Sequence, residues 1–351
     1  MLPERGPLAD RIEHAGGEVC VHPLAVLRRA VFNPGGAVQL SRAVRRDRRQ
    51  LGTLARDRDV ALVHDNTSVV LSGGAVSRAA GVPHLMHVRE IYAGAGGPVA
   101  SALWPLMRAH LLRADALVCI SRAVARQFSG STRARVIHDG LPRAAEARDR
   151  QEARASLKIP SERLAVALVG RVSDWKGQDV LLHALAETPL VERGAIALLA
   201  GDAAPGAEDL PHRLELLAGR LGVAERVRWL GFHSDADAIW AAADVAVVPS
   251  TRPEPLGLVA IEAAAAGLPV VASAHGGVAE VVRDGQTGLL VPPGDATALA
   301  TAVRLLADDP DLAARMGEAG RRRVEKHFGV GRMLAELQAL YDELPPASVS
   351  G

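Results

Sequence analysis

The sequence predicts two α/β domains, each a doubly wound parallel sheet covered by helices. Three observations carry this. The chain has 351 residues, more than one ordinary core supports. Short apolar runs alternate with amphipathic segments, the pattern of buried parallel strands joined by crossover helices. A charged, alanine-rich stretch, Pro142–Arg163, separates a first set of runs from a second.

In the first half the expected strands are Glu18–Val21, Asp59–His64, His84–Val88, Ala116–Ile120 and Ala134–His138, with helices between them. Arg42–Arg58 holds seven arginines on an expected helix. It reads first as a solvated face, because Asp47, Asp57 and apolar positions interrupt the charge. Attraction to an anionic membrane surface is the alternative. Leu71-Ser72-Gly73-Gly74 reads as a glycine-rich turn or helix start, and Pro142–Arg163 as a linker with one helix. The second half offers six strands, Leu164–Gly170, Ala195–Ala200, Arg226–Leu230, Val245–Val248, Pro269–Ser273 and Gly288–Val291, enough for a complete doubly wound domain. Two helices, Ala296–Leu306 and Val330–Leu344, are expected to close the chain before a disordered tail. The resulting partition is 1–143, a linker 144–163, 164–327, a final helix 328–344 and a tail 345–351.

Composition narrows the function classes. A formal net charge of +1 gives no general attraction to nucleic acid, and 3% aromatic residues leave little for stacking bases. No apolar run approaches the roughly 18 residues of a membrane span. With Pro3, Glu4 and Arg5 at its start the chain reads as lacking a secretory leader. The expectation is a cytoplasmic protein, with peripheral membrane contact as the alternative. Cys20 and Cys119 sit in short apolar runs and read as buried free thiols. Two Asp-x-Asp triplets, Asp57-Arg58-Asp59 and Asp235-Ala236-Asp237, are poor metal candidates. The first precedes a strand, and the second opens a helix, where aspartates cap and complement the dipole. No metal is expected.

The segment Glu254-Pro255-Leu256-Gly257-Leu258-Val259-Ala260-Ile261-Glu262 carries the most chemical information. Its two glutamates lie eight positions apart across a loop-to-helix junction. Eight helical residues rise about 12 Å, comparable to the distance from sugar to ribose in a nucleotide-sugar. Between them stand the free N–H groups of a helix N-terminus, which favour a diphosphate. The plainer reading is two glutamates on a solvated face, but Glu262 stands in a very apolar run, where a charge needs a partner. Arg171 and Lys176 leave the carboxyl end of another strand, where open α/β sheets bind ligands. A guanidinium grips phosphate oxygens bidentately and an ammonium adds a point charge. Solvated loop cations are the alternative. Neither a Walker A loop nor a dinucleotide fingerprint is present. His275-Gly276-Gly277 leaves a third strand, and its glycines permit close backbone approach to a ligand or simply make a turn. His87, at a strand end in the first half, is a proton shuttle or hydrogen-bond donor if it is not structural.

Together these segments resemble the retaining glycosyltransferases of family 4, which have the GT-B fold. The resemblance runs from about Gly6 to Leu344 and is tightest in the second half. It rests there on Gly170-Arg171 with Lys176-Gly177, Pro249-Ser250 before Glu254, the two-glutamate segment, Gly276-Gly277 with Glu280, and Asp284-Gly285 with Gly288-Leu289-Leu290-Val291. The first half matches through His87, Ser121 and Asp139-Gly140. The resemblance implies two Rossmann-like domains facing each other across a cleft. The first is on the acceptor side, the second holds the nucleotide-sugar, and the final helix returns to the first. It implies that Arg171 and Lys176 neutralise the diphosphate, met also by the amides of Gly257, Leu258 and Val259. Glu262 would accept from the ribose hydroxyls. Glu254, with His275, Gly276 and Gly277, would hold the sugar. His87 would act near sugar and acceptor. The implied reaction moves a sugar from a UDP- or GDP-sugar to an acceptor with retention, without metal or other cofactor. A front-face route assisted by the departing phosphate fits, because no carboxylate is an obvious covalent nucleophile. The acceptor class stays open among a lipid-linked glycan, a metabolite and a natural product.

One departure stands out. Members usually begin with a strand, a glycine-rich loop, a helix and a second strand, roughly 35–40 residues, before the segment matching Gly6–Asp10. Met1-Leu2-Pro3 reads as the end of that second strand. The expectation is a reading frame starting upstream of Met1, or a degraded gene. The alternative function that follows is a nucleotide-sugar binder or partner subunit without turnover.

Overall fold

The computed structural model describes residues 1–27, 34–92, 97–141 and 148–344. The expected tail and residues 142–147 of the expected linker lie outside them. The chain divides into two compact units. One comprises Met1–Ile120, Ala125–Val136 and the residues from Gln338; the other comprises Ser121–Val124 and Ile137–Leu337.

The first unit is built on a four-stranded parallel sheet, β1 (Val63–Asp65), β2 (His84–Val88), β3 (Ala116–Cys119) and β4 (Ala134–Val136), in that order. Its middle strands are buried at every position, as parallel strands covered on both faces must be. Ala116–Ile120 and Ala134–His138 shorten to Ala116–Cys119 and Ala134–Val136, and two expected strands change more. Asp59–His64 becomes Val63–Asp65, because the helix Pro34–Asp57 ends in a left-handed residue, Asp59 (φ 47°), and Val60 N–H bonds back to the Ala55 carbonyl at 2.9 Å. Glu18–Val21 forms no strand; it contributes a single bridge, Leu2 to Val21. Among the described residues β1 has no partner on its outer edge. A cavity of about 700 Å³ adjoins it, lined by β1, Leu2, Cys20, Leu51, Leu54 and Val76 among others. Cys20 is thus half-buried, whereas Cys119 is fully buried and burial pushes its thiol up to about 12. Both are free thiols.

The second unit is a six-stranded parallel sheet: β5 (Ala165–Val169), β6 (Ile196–Ala200), β7 (Val227–Gly231), β8 (Val245–Val248), β9 (Val270–Ser273) and β10 (Gly288–Val291), in spatial order β10-β9-β8-β5-β6-β7. The chain builds outward from β5 through β6 to β7, then returns to place β8 on the other side of β5. That reversal makes a crevice beyond the carboxyl ends of β5 and β8, the position where doubly wound sheets bind ligands. Val166, Leu168, Leu199, Val247 and Val271 form the sheet's part of the core, with Leu181, Leu185, Leu299 and Val303 covering it. Aspartates cap several helices: Asp149, Asp235, Asp295 and Asp309 each accept an N–H from three residues on. The Asp235 carboxylate is therefore used as its sequence position suggested.

Three helices close this part of the chain where two were expected: Ala296–Asp308, Pro310–His327 and Val330–Glu343. The additional one carries Gly317 and Gly320, residues of low helix propensity. Here they permit contact. A Cβ on Gly317 would lie 1.9 Å from the Gly267 carbonyl oxygen, and one on Gly320 would meet Ala264 at 3.4 Å. Small residues let this helix lie directly against the helix Leu258–Ala265. Among the described residues no helix is long and apolar enough to cross a membrane.

Candidate functional site

The loops leaving β5, β8 and β9 meet because those strands are near neighbours. Leaving β5, Gly170 (φ 146°) hands the chain to Arg171, whose exposed guanidinium has no ion-pair partner among the described residues. The loop then returns at Gly177 (φ 78°), where a Cβ would come within 2.1 Å of the Pro249 carbonyl oxygen. Only glycine satisfies both the left-handed angle and that approach. Thr251 N–H donates to the Trp175 carbonyl at 2.8 Å, tying the β5 loop to the β8 loop.

That tie brings Lys176 to Glu254. Lys176 Nζ donates to Glu254 Oε1 at 2.7 Å, and its ammonium lies 4.5 Å from the centre of the Trp175 ring. Ser250 Oγ donates to the same carboxylate oxygen at 2.6 Å. Glu254 is 3% exposed and Ser250 fully buried, so this ion pair sits at the wall of the crevice with one face to solvent through Lys176. His275 Nε2 donates to the Ser250 carbonyl at 2.9 Å. The sequence treated Lys176 and Glu254 as ligands for different parts of a donor; the structure joins them.

The β9 loop refines the glycine reading. A Cβ on Gly276 would lie 2.5 Å from the Glu254 carbonyl oxygen, and one on Gly277 would lie 2.2 Å from that of Pro255. Gly277 N–H donates to the Glu254 carbonyl at 2.7 Å. The close approach these glycines permit is therefore to the backbone that carries Glu254. They set that loop's height, and His275 is the side chain they leave beside it.

The helix that follows runs from Leu258 to Ala265, with Gly257 (φ 91°) at its N-cap. No side chain caps this end, so the first-turn amides of Leu258 and Val259 lack intrahelical acceptors. Glu262 lies one turn on. It is half-buried, and its carboxyl makes neither hydrogen bond nor ion pair among the described residues. Burial, reinforced by the charge of Asp237, raises its pKa above the ordinary carboxylate value. Asp237 was not expected here; its place two residues after the cap Asp235 gave no hint of it. Glu280 is spoken for. It accepts the N–H groups of Arg122 and Ala123 at 2.9 and 2.8 Å and His138 Nε2 at 3.0 Å. Burial opposes its ionisation, but His138 and the two amides outweigh it and hold the carboxyl below its usual range.

His87 belongs to the first unit, at the end of β2, and is 2% exposed. Its ring stacks on His64 at 5.6 Å, and His64 Nδ1 lies 2.8 Å from the Tyr341 hydroxyl. Burial, with Arg89 and His64 adding to it, lowers His87 to about 3. It is a neutral imidazole at physiological pH, suited to hydrogen bonding and not to delivering a proton. The remaining predicted residues, Arg171, Lys176, Glu254, Gly257, Leu258, Val259, Glu262, His275, Gly276 and Gly277, all lie in the second unit.

Comparison with known proteins gives a consistent pattern. The family described as glycosyl transferases group 1 matches residues 149–323, and a glycosyl transferase 4-like domain matches residues 2–140. A D-inositol 3-phosphate glycosyltransferase of Salinispora tropica is 31% identical over 96% of this chain and 71% of its own length. That of Streptomyces avermitilis is 42% identical over 54% of this chain, and the match spans only 42% of that relative. Among solved structures, Anabaena HepE in complex with UDP and glucose superposes with a TM-score of 0.82 at 27% identity, covering 97% of this chain and 90% of that one. Sucrose-phosphate synthase from Thermosynechococcus elongatus gives 0.73 at 30% identity, covering 87% and 79%.

Proposed function

Because the chain belongs to the group 1 glycosyltransferases and has their GT-B fold, we propose that it transfers a sugar from a UDP-sugar to an acceptor hydroxyl, with retention and without a metal ion. The observation that carries the donor reading is Glu262. A half-buried carboxylate with no partner among the described residues, one turn from uncapped helix amides, is suited to accept from a ligand. Ribose hydroxyls are donors that fit it. UDP is favoured as the nucleotide because HepE, similar along the whole chain, was solved with UDP and with UDP-glucose.

In this reading the diphosphate lies against the amides of Leu258 and Val259, and Arg171 compensates its charge. Lys176 adds positive charge while still held by Glu254, whose second oxygen takes a sugar hydroxyl. As the bond from the anomeric carbon to the phosphate oxygen breaks, the acceptor oxygen attacks from the same face. Its proton passes to the departing phosphate, which Arg171 and the helix N-terminus stabilise. D-inositol 3-phosphate, the acceptor in the relatives' names, is the first to try. A second reading, a binder without turnover, draws on the unpaired outer edge of β1 among the described residues. Turnover of labelled UDP-glucose separates the two.

The donor site is tested by thermal shift with UDP, GDP, ADP and their sugars. A ligand at 100 times its dissociation constant adds ~2.7 kcal/mol. The expected result is stabilisation by UDP and UDP-sugars that Glu262→Ala weakens by ~1.5–3 kcal/mol. Unchanged UDP affinity in that variant would refute the ribose role.

A further inference from the structure

We propose that Ser250 is a positioning residue for the reaction, setting which oxygen of Glu254 meets the sugar; this rests on the donor reading above. Ser250 is fully buried at the carboxyl end of β8, so its hydroxyl must find a partner inside the protein. A serine there could bond its own backbone. Instead its hydroxyl donates across four residues to Glu254 Oε1 at 2.6 Å, where Lys176 Nζ also arrives at 2.7 Å. Two donors on one oxygen fix the rotation of the carboxylate. No described residue donates to Oε2, so that oxygen is left for a ligand. The Ser250 carbonyl meanwhile accepts from His275 Nε2 at 2.9 Å. One residue thus aligns both side chains expected at the sugar, one through its hydroxyl and one through its backbone.

The bond from Ser250 touches neither Arg171 nor Glu262, the residues assigned to phosphate and ribose. Its loss should therefore be felt at the sugar and not at the nucleotide. Ser250→Ala keeps the carbonyl that holds His275 and removes only the hydroxyl. The expected result is UDP affinity within about twofold of wild type and a kcat with UDP-glucose lowered on the order of tenfold, as for a misplaced reacting group. Ser250→Thr, which retains a hydroxyl, should recover most of that loss. Wild-type kcat in Ser250→Ala overturns the proposal, and so does a parallel loss of UDP affinity, which would mark a merely structural role. A double-mutant cycle of Ser250→Ala with Glu254→Ala, which removes the accepting oxygen, read by urea unfolding of the unliganded protein, needs no donor. Zero coupling there overturns the proposal whatever the donor proves to be. Wild-type protein that binds no UDP-sugar instead overturns the donor reading.

Discussion

Removing either partner of the Lys176–Glu254 pair should have unequal consequences. The side chain of Glu254 is 4% exposed and that of Lys176 22%. If Lys176 is replaced by methionine, the carboxylate stays buried with the Ser250 hydroxyl as its remaining donor. Stranding a buried charge costs about 3–5 kcal/mol, and the surviving Ser250 bond places this case near the lower end, about 3 kcal/mol. If Glu254 is replaced by glutamine, the amide oxygen still accepts from Ser250, and the partly exposed ammonium of Lys176 turns to water. That change should cost about 1 kcal/mol. Urea unfolding of both variants, and of Lys176→Met with Glu254→Gln together, gives the two costs and their coupling. The double variant should be less destabilised than the two singles combined, because no charge is left stranded. Equal single costs, or a larger cost for Glu254→Gln, would refute the assignment of Glu254 as the buried member. The same logic separates Lys176 from Arg171: loss of transfer in a Lys176 variant mixes site and stability, and must be read beside its unfolding curve.

Arg171→Ala should behave oppositely. Its exposed guanidinium pairs with no described carboxylate, so unfolding free energy should change by less than about 0.5 kcal/mol, while UDP affinity by calorimetry falls by ~1.5–3 kcal/mol. Unaltered UDP affinity would place the phosphates elsewhere. His87 predicts an acid sensitivity. Its pKa is about 3 when folded against an ordinary 6.5, so below pH 6.5 the unfolded chain takes up a proton that the folded one refuses. Stability should therefore fall as pH drops from 6.5 towards 3, by about 1.4 kcal/mol per pH unit from this group. Urea midpoints between pH 6.5 and 5 avoid the carboxyls of Asp47 and Glu280, whose ordinary values are 3.8 and 4.5. His87→Gln should flatten the slope relative to wild type; an unchanged slope would show that His87 is protonated in the folded protein.

The second unit was legible almost residue by residue, and physics explains why. Most of its strands are short, largely apolar and buried runs, and buried parallel strands leave little polar face to blur their ends. The expected span Pro269–Ser273 became Val270–Ser273, and Val245–Val248 and Gly288–Val291 were unchanged. The first unit was harder. Asp59–His64 looked like one apolar strand, but its first residues finish a helix, a choice made by a left-handed Asp59 that no apolar pattern encodes. The helix Pro310–His327 was not among the expected elements; it contains glycine, which lowers helix propensity, yet in the fold Gly317 is required by the Gly267 carbonyl beside it.

The site shows the same division between what is local and what is not. The spacing of Glu254 and Glu262 and the helix start between them are local, and were readable. The pairing of Lys176 with Glu254 spans 78 residues and exists because β8 returns to lie beside β5. Once that pairing is known, the site separates into two kinds of charge. Lys176 and Glu254, proposed to lie beside the sugar, pair with each other and are held by Ser250 and Trp175. Arg171 and Glu262, proposed for the phosphates and the ribose, have no partners among the described residues and are of opposite sign. In that reading a carboxylate already fixed beside the sugar would limit the rearrangement needed when the bond breaks. Unpaired groups at the other end would then put binding energy on the unchanging part of a donor. In the proposed reading such a division would let affinity come from the nucleotide while geometry is kept for the reacting carbon, and Ser250, acting through Glu254, would affect rate and not nucleotide affinity.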